Sequence, residues 1–358
     1  MERGPGQTVI DPVSATDTAA IGSPPSRRRF GMEDLGSLWT LLVLLVIIAI
    51  FGIISPKAFF TLTNLHDTVV YTAEVILLAI GETFVIISAG IDLSVGVILA
   101  LSSVLSAEVM ISLSGTKCGL TSCTYAHESL GLTIGIMAGL LSGCVVGFVN
   151  GVLVTHFKLP PFIVTLGTLG IIDGAANLIT GGVAVQDVPA NVQATIGFGT
   201  ILGFIPVPVA VTAVFAVGAH LLLSGTRFGR YTYAIGSNAE GARLAGINVT
   251  RYLILIYTLS GFMAAVAGII DLVLYNNPST VGHSQDNLNA IAAVVIGGAS
   301  LFGGVGNIAG CVIGALIPAV LRNGFQIIGV QPFWQEVAVG AVLIVAVYID
   351  QRRRAALR

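Results

Sequence analysis

Charged residues are scarce in this sequence. Asp, Glu, Lys and Arg make up 9% of the 358 residues, whereas a soluble domain carries roughly 25%. Apolar residues make up 55%, and the mean hydropathy is +0.94. This balance excludes a chain solvated mainly by water and favours one that lies mostly in a lipid bilayer.

Aromatic residues are also few, at 7%, and the apolar residues form long unbroken runs. A transmembrane β-barrel would instead show alternating segments of about ten residues between aromatic girdles. Because a backbone in lipid must satisfy its own hydrogen bonds, the apolar runs are predicted to be helices. The sequence therefore predicts an all-α, polytopic membrane protein.

Two kinds of chemical motif are missing. The sequence has no G-x-x-x-x-G-K-[ST] phosphate-binding loop, so we do not expect it to hydrolyse ATP by itself. Its five histidines are scattered over distant segments, which argues against a metal centre or an intramembrane catalytic site. We expect no enzyme activity, no cofactor, no bound metal and no nucleic-acid partner.

About ten membrane crossings are expected, since each takes about 20 apolar residues. Residues 1–35 are polar and are predicted to be a disordered cytoplasmic tail. Residues 36–351 are predicted to be the transmembrane domain, and residues 352–358 a basic cytoplasmic tail. The expected crossings are 36–54, 69–89, 94–112, 130–153, 162–181, 204–223, 252–274, two short glycine-broken ones within 290–322, and 333–349.

Basic residues predict the orientation, because cytoplasmic loops carry an excess of Lys and Arg. The cluster Arg27 to Arg29, the loop 224–250 and the carboxyl-terminal arginines all fall on one side, which places both termini in the cytoplasm. Lys57 and Arg322 fall on the outer side and are exceptions. The expected location is the bacterial inner (plasma) membrane, with the chain in contact with its lipid.

Glycine recurs every four residues through the predicted crossing 130–153. A four-residue step drifts by only about 40° around an α-helix, so these glycines form one slowly winding groove. Small residues let helices approach closely in lipid, so the groove predicts a tight helix–helix contact, with a lining of the solute path as the alternative. The central glycines are Gly135, Gly139, Gly143 and Gly147, flanked by Gly131 and Gly151.

Several polar residues lie inside or beside the apolar runs. Charges at membrane depth are costly and usually face the bundle interior or a cavity, so these residues are candidates for the translocation path. Asp92 has a structural alternative, because its carboxylate can cap the helix that follows its turn. The candidates are Glu82, Asp92, Ser94, Asn150 and Asn177.

Two of the four cysteines, Cys118 and Cys123, share one polar loop. If that loop faces an oxidising space, they can form a local disulfide. Two free thiols are the alternative.

The polar segment 224–250 contains its own helix signals. Ser237 and Glu240 fit the capping box S-x-x-E, and Gly246 fits a residue that ends a helix. The pattern predicts a helix of two turns over about 238–245. So short a helix has no core of its own, which favours docking onto another protein over an ordinary solvated loop.

Glu240–Gly241–Ala242, separated by three residues from Gly246, resembles the E-A-A-x-x-x-G loop of ABC importer permeases. Gly241 departs from the family pattern, which has Ala there. Three blocks resemble the ribose/xylose-type sugar permease family, and the resemblance runs from about residue 36 to 351. They are GIDLSVG at 90–96, FGRYTYAIGSNAEGARLAGINV at 228–249 and LNAIAAVVIGGASLFGGVGNIAGCVIGALI at 288–317.

This resemblance implies a ten-helix subunit that pairs with a second permease subunit, as a homodimer or with a close relative. It implies ABC ATPase subunits at the cytoplasmic face, and a periplasmic or lipoprotein sugar-binding protein that delivers a monosaccharide or related polyol. Because that protein holds most of the specificity, the permease path is expected to be weakly polar. The implied coupling helix, 238–246, would contact the ATPase through the region of Ser237, Asn238, Glu240, Ala242, Arg243 and Gly246.

One alternative function comes from a different class of transporter. An ion-coupled secondary transporter of a small polar solute would need a carboxylate near the midplane of the membrane. Glu82 is the residue that keeps this alternative open.

Overall fold

The computed structural model describes residues 32–118, 123–283, 285–331 and 333–356. Most of the predicted amino-terminal tail, with the Arg27 to Arg29 cluster, lies outside the described residues, and so do residues 357–358. The first helix begins at Met32, inside the predicted tail, and the last continues to Ala356. The helical part therefore extends beyond the predicted bounds at both ends.

Helices form most of the described chain, as a backbone in lipid requires. In chain order they are α1 (Met32–Ile54), α2 (Pro56–Phe59), α3 (Leu62–Ile87), α4 (Val95–Leu113), α5 (Glu128–Thr155), α6 (Pro161–Thr180), α7 (Ala190–Val192) with a π-helical turn (Gln193–Gly197), α8 (Val207–Gly225), α9 (Arg227–Ser237), α10 (Ala239–Leu244), α11 (Val249–Tyr275), α12 (Asp286–Ile296), α13 (Ile308–Ile327) and α14 (Phe333–Ala356).

Two small antiparallel hairpins interrupt the all-α pattern. The first joins β1 (Thr116–Cys118) to β2 (Cys123–Tyr125) between α4 and α5, and a disulfide bond links Cys118 to Cys123. The second joins β3 (Thr200–Ile201) to β4 (Ile205–Pro206) just before α8.

Seven helices are long and apolar enough to cross a membrane: α3, α4, α5, α6, α8, α11 and α13. Three shorter apolar helical stretches, Trp39–Ile54, Asp286–Ile296 and Phe333–Val345, overlap the remaining predicted crossings. Each predicted crossing thus coincides with an apolar helix, while the total of ten and the side on which the termini lie stay predictions.

Helices α3 and α11 form the centre of the bundle. Almost every side chain of α3 from Ile76 onwards is buried, and Tyr257 is the largest fully buried residue of α11. Helix α11 packs against α3, α4 and α5. Contacts of this kind stabilise a membrane protein through close van der Waals packing, since lipid is as apolar as the side chains.

The glycines of α5 lie against two neighbouring helices at backbone distance. A Cβ added to Gly135 would lie 2.7 Å from the carbonyl oxygen of Ser106 in α4. On Gly143 it would lie 2.3 Å from the carbonyl oxygen of Gly261 in α11. The structure thus shows a tight contact along α5, which the four-residue glycine repeat predicts.

The segment between α12 and α13 is a glycine-rich turn. Gly298, Gly303, Gly304 and Gly306 all have positive φ angles there, which glycine adopts without steric cost. The Gly304 amide donates a hydrogen bond to the carbonyl of Ile87, the last residue of α3. The turn therefore joins α12 and α13 to one end of α3.

Candidate functional site

Helix α10 lies in the polar segment between α8 and α11. Its N-cap is Asn238, whose side-chain oxygen accepts a hydrogen bond from the Gly241 amide at 2.8 Å. The predicted capping box on Ser237 is therefore wrong. Ser237 is the last residue of α9, and Asn238, which has extended backbone angles and a short amide side chain, takes the capping position.

Gly246 ends α10, as the sequence predicts. Its φ of +84° is left-handed, and its amide donates to the Arg243 carbonyl at 3.0 Å. The next amide, of Ile247, donates to the Ala242 carbonyl at 3.0 Å. These two hydrogen bonds form the Schellman arrangement, which satisfies the last carbonyls of a helix.

The surface of α10 is exposed apart from one anchor. Ala242 is buried, whereas Leu244 is 78% exposed and the side chains of Glu240 and Arg243 are about two-thirds exposed. The Arg243 guanidinium donates to the Glu240 carboxylate. This hydrogen bond holds the pKa of Glu240 below its usual value and raises the pKa of Arg243. An apolar side chain beside a charge pair is thus exposed on the surface of α10.

Helix α9 connects α10 to the end of α3. A Cβ on Gly236 would lie 1.7 Å from the Ile87 carbonyl oxygen, so the two backbones touch. The Tyr233 hydroxyl donates to the Gly306 carbonyl at 2.6 Å in the glycine-rich turn. Helix α10 is therefore joined to the end of α3 and to the glycine-rich turn by the close contacts of α9.

Four of the five predicted path residues lie together in the bundle interior, and each is fully buried. Glu82 accepts a hydrogen bond from the Asp92 amide at 3.1 Å. Asp92 accepts from the Ser94 hydroxyl at 2.6 Å and from the Ser260 hydroxyl at 3.2 Å, and Asn150 donates to Ser94 at 2.9 Å. This cluster ties α3, α4, α5 and α11 together.

The structural alternative for Asp92, in which its carboxylate caps the following helix, agrees only in part with these contacts. Its carboxylate accepts the Ser94 amide at 3.0 Å, but α4 begins only at Val95. Asp92 therefore holds the turn before the helix.

Asn177 lies apart from the buried cluster. It donates to the Asp173 carbonyl at 2.8 Å on α6 and accepts from the Thr280 hydroxyl at 2.8 Å. The five residues therefore do not form one site in this chain.

A cavity of about 550 Å³ opens at the other end of α3. It lies among the first half of α3, the end of α11, the start of α12, the second half of α13 and the start of α14. None of the five predicted path residues lines it. Polar and aromatic groups dominate its lining: Asn64, Asp67, Thr68, Tyr71, Thr72, Glu74, Tyr275, Asp286, Asn289, Arg322, Asn323, Gln326 and Gln335.

Several contacts organise the cavity wall. The Asn64 and Asn323 amides donate to each other's oxygens at 3.1 and 2.6 Å, joining α3 to α13. The rings of Tyr71 and Tyr275 stack with centroids 6.1 Å apart and planes at 13°. Oε1 of Glu74 is buried and has no hydrogen-bond partner among the described residues.

Asp286 is held at the cavity edge by the loop before α12. Nδ1 of His283 lies 2.8 Å from an Asp286 carboxylate oxygen, and Nε2 lies 3.5 Å from Asp271. Burial disfavours the charged imidazole, but the hydrogen bond with Asp286 and the charge of Asp271 outweigh it and raise the pKa of His283. The hydrogen bond with His283 therefore fixes the position of the Asp286 carboxyl group at the edge of the cavity.

The sequence contains a signal for this cavity. Asn64, Asp67, Thr68 and Tyr71 recur at helical spacing on α3, and Arg322, Asn323 and Gln326 do so on α13. Each stripe is polar where a lipid-facing helix would be apolar. The polar residues of α3 lie mostly before residue 69, where the crossing is predicted to start. Arg322 is one of the two basic residues that fall on the outer side in the predicted orientation.

Several known import permeases are similar to this chain. Residues 64–347 match the family described as branched-chain amino acid transport system / permease component. The chain is 36% identical to the ribose import permease protein RbsC of Escherichia coli (strain K12) over 92% of this chain and 98% of that protein. It is 40% identical to the ribose import permease protein RbsC of Bacillus subtilis (strain 168), over 90% and 94%.

A fructose import permease protein, FrcC of Rhizobium meliloti, is 37% identical over 87% of this chain and 84% of its own length. No solved structure matches the chain.

Proposed function

This chain belongs to the permease-component family of branched-chain amino acid transport systems, and we propose that it imports a monosaccharide as the membrane subunit of an ABC transporter. Like its relatives, it is a transport component of the inner membrane and not an enzyme. The similarity to ribose and fructose permeases over most of their length supports a pentose, a hexose or a related polyol as cargo.

Helix α10 carries the proposal of ATP coupling. It is short, capped at both ends, exposed through Glu240, Arg243 and Leu244, and joined through α9 to α3. These are the properties needed by a segment that sits in a cleft of an ATPase and passes its movement to the membrane helices. In this proposal α10 is the coupling helix and its side of the membrane is the cytoplasm.

The cavity and α10 lie at opposite ends of α3, which supports the proposed direction of transport. A sugar-binding protein outside the membrane would deliver its cargo at the cavity end. ATP-driven movement would enter at the α10 end, through the contact between Gly236 and Ile87.

Helix α6 supports pairing with a second permease subunit, such as another copy of this chain. Asp173 is exposed on α6 well inside a span, although a carboxylate at membrane depth is stable only against protein or water. Gly170 and Gly174 leave open space beside it. A second subunit, with a water-filled path between the two, would cover this face.

A substitution on α10 tests the coupling. Leu244→Asp adds charge to an exposed position, so the chain should still insert while co-purification of the ATPase and ATP-driven sugar uptake fall about tenfold or more. Leu202→Asp is the matched control, because Leu202 is 80% exposed in the β3–β4 turn. That variant should keep the ATPase bound.

The assay uses proteoliposomes with the ATPase and binding protein, supplied with labelled ribose, xylose or fructose. Normal ATPase binding and uptake by Leu244→Asp would contradict the coupling role of α10. Full uptake without any ATPase would instead support the ion-coupled alternative, and Glu82→Gln would then be the variant to examine.

A further inference from the structure

We infer that the cavity at the outer end of α3 is a binding site for a neutral monosaccharide, built from Glu74, Arg322 and the Tyr71–Tyr275 pair. The inference rests on the proposed function and deepens it. It departs from the expectation that the permease path is weakly polar and leaves recognition to the binding protein.

The size of the cavity fits such a ligand. Pockets for small molecules measure roughly 300–1,000 Å³, and this one measures about 550 Å³. Five helices contribute to it, so one ligand would contact elements that are far apart in the sequence. Helical bundles often bind small ligands in pockets between several of their helices.

Glu74 and Arg322 both line the cavity and form no ion pair with each other. Glu74 has a buried carboxylate oxygen with no hydrogen-bond partner in the described parts of the chain, and Arg322 forms no ion pair with any described residue. A buried acceptor left unsatisfied costs about 1–3 kcal/mol, so a rotation of the Glu74 carboxyl group that turns this oxygen towards a ligand hydroxyl is favourable. Sugar hydroxyls both donate and accept, so neighbouring hydroxyls can receive a hydrogen bond from Arg322 and give one to Glu74.

The remaining lining supplies what a sugar ring needs. The stacked, half-exposed rings of Tyr71 and Tyr275 offer an apolar surface for the C–H side of the ring. Asn289, Gln326 and Gln335 offer amide donors and acceptors for further hydroxyls. The combination of one aromatic wall with several convergent polar groups favours a polyhydroxylated ligand.

A branched-chain amino acid is the competing ligand, because its ammonium and carboxylate would also match Glu74 and Arg322. The lining argues against it. Only Val75, Pro318, Ala319 and Ile327 are apolar and non-aromatic, and they are outnumbered by the amides, hydroxyls and charges. An aliphatic side chain would therefore leave polar groups unsatisfied.

The test measures binding to the full-length permease alone, purified in nanodiscs without ATPase or binding protein. Labelled D-ribose, D-xylose and D-fructose are the probes, with L-leucine as the comparison. We expect at least one sugar to bind and leucine not to bind. Glu74→Gln and Arg322→Gln should each weaken sugar binding about tenfold, because each alters a side chain that forms a hydrogen bond with the ligand.

Matched controls keep this result interpretable. Glu108→Gln replaces a half-buried carboxylate of α4 outside the cavity, and Lys57→Gln replaces an exposed cation of α2. Both should bind sugar normally. Tyr71→Ala provides a second test if Glu74→Gln fails to fold, because Tyr71 is half-exposed. We expect Tyr71→Ala to weaken sugar binding and Tyr71→Phe to retain it.

The outcomes separate this inference from the proposed function. Absence of sugar binding by the folded permease, binding unchanged in the cavity variants, or binding of leucine alone would each overturn the inference. ATP-driven sugar uptake in the complete transporter would leave the proposed function standing in all three cases. Absence of that uptake would overturn the proposed function itself.

Discussion

Helices α5 and α6 follow each other in the chain and are both rich in glycine, yet their glycines are in opposite surroundings. A Cβ on Gly143 or Gly147 of α5 would lie 2.3 Å from a carbonyl oxygen of α11. A Cβ on Gly167, Gly170 or Gly174 of α6 would meet nothing within 4 Å. Glycines thus permit close packing of helices, but close packing occurs only where a second helix lies against them.

The neighbours of the two helices explain the difference. Helix α5 lies against both α4 and α11, so its groove has a partner along its whole length. Helix α6 contacts α4 and α5 on one side, and the described residues leave its other side, with Asp173, uncovered. The open face of α6 is therefore where we expect a second subunit.

Substituting leucine on the two helices should give the largest contrast. Gly147→Leu would force a side chain into the Tyr257 backbone, so we expect a loss of more than about 3 kcal/mol and little folded protein. Gly170→Leu should leave the isolated subunit folded, because the position is open. Thermal unfolding in detergent and the yield after gel filtration measure both. Equal yields for the two variants would show that α5 is not packed as described.

A substitution of Gly236 tests whether the close contact between α9 and α3 also transmits movement from α10 to the membrane helices. Gly236→Ala places a methyl group on the Ile87 carbonyl, so α9 must shift away from α3. We expect a loss of about 1–3 kcal/mol in stability and a larger loss of ATP-driven uptake than of ATPase binding. Gly225→Ala, at an open position one helix earlier, is the control. Normal uptake by Gly236→Ala would rule out this route of coupling.

Gly246 is an open glycine that is needed for a different reason. A Cβ there meets nothing, but the φ of +84° is unfavourable for any residue with a side chain. Gly246→Ala should therefore cost about 1–2 kcal/mol locally, and Gly246→Asn less, since asparagine tolerates the left-handed region. Hydrogen exchange of the Ile247 amide reports on the end of α10, and equal exchange in wild type and Gly246→Ala would contradict the expected strain.

These glycines show what the sequence could and could not predict. The positions of the apolar helices and the end of α10 at Gly246 followed from local rules, because apolar length and a left-handed turn leave a signal in neighbouring residues. Helix α9 was missed, since it is polar and its N-cap Thr226 follows directly after α8. The cavity was missed because Tyr71, Tyr275 and Arg322 are brought together only by packing of distant helices.

The smallest expected effect comes from Gly170→Ala on α6. This substitution distinguishes a glycine that contacts nothing from one that contacts a second subunit. In an isolated subunit the substitution should stabilise the helix by up to about 1 kcal/mol, because alanine has the higher helix propensity and nothing obstructs its methyl group. If α6 packs against a second subunit, the same methyl group should weaken pairing. Thermal unfolding of the isolated subunit and crosslinking between subunits in membranes measure the two effects separately. A more stable subunit that pairs normally would place the second subunit on another face of the bundle.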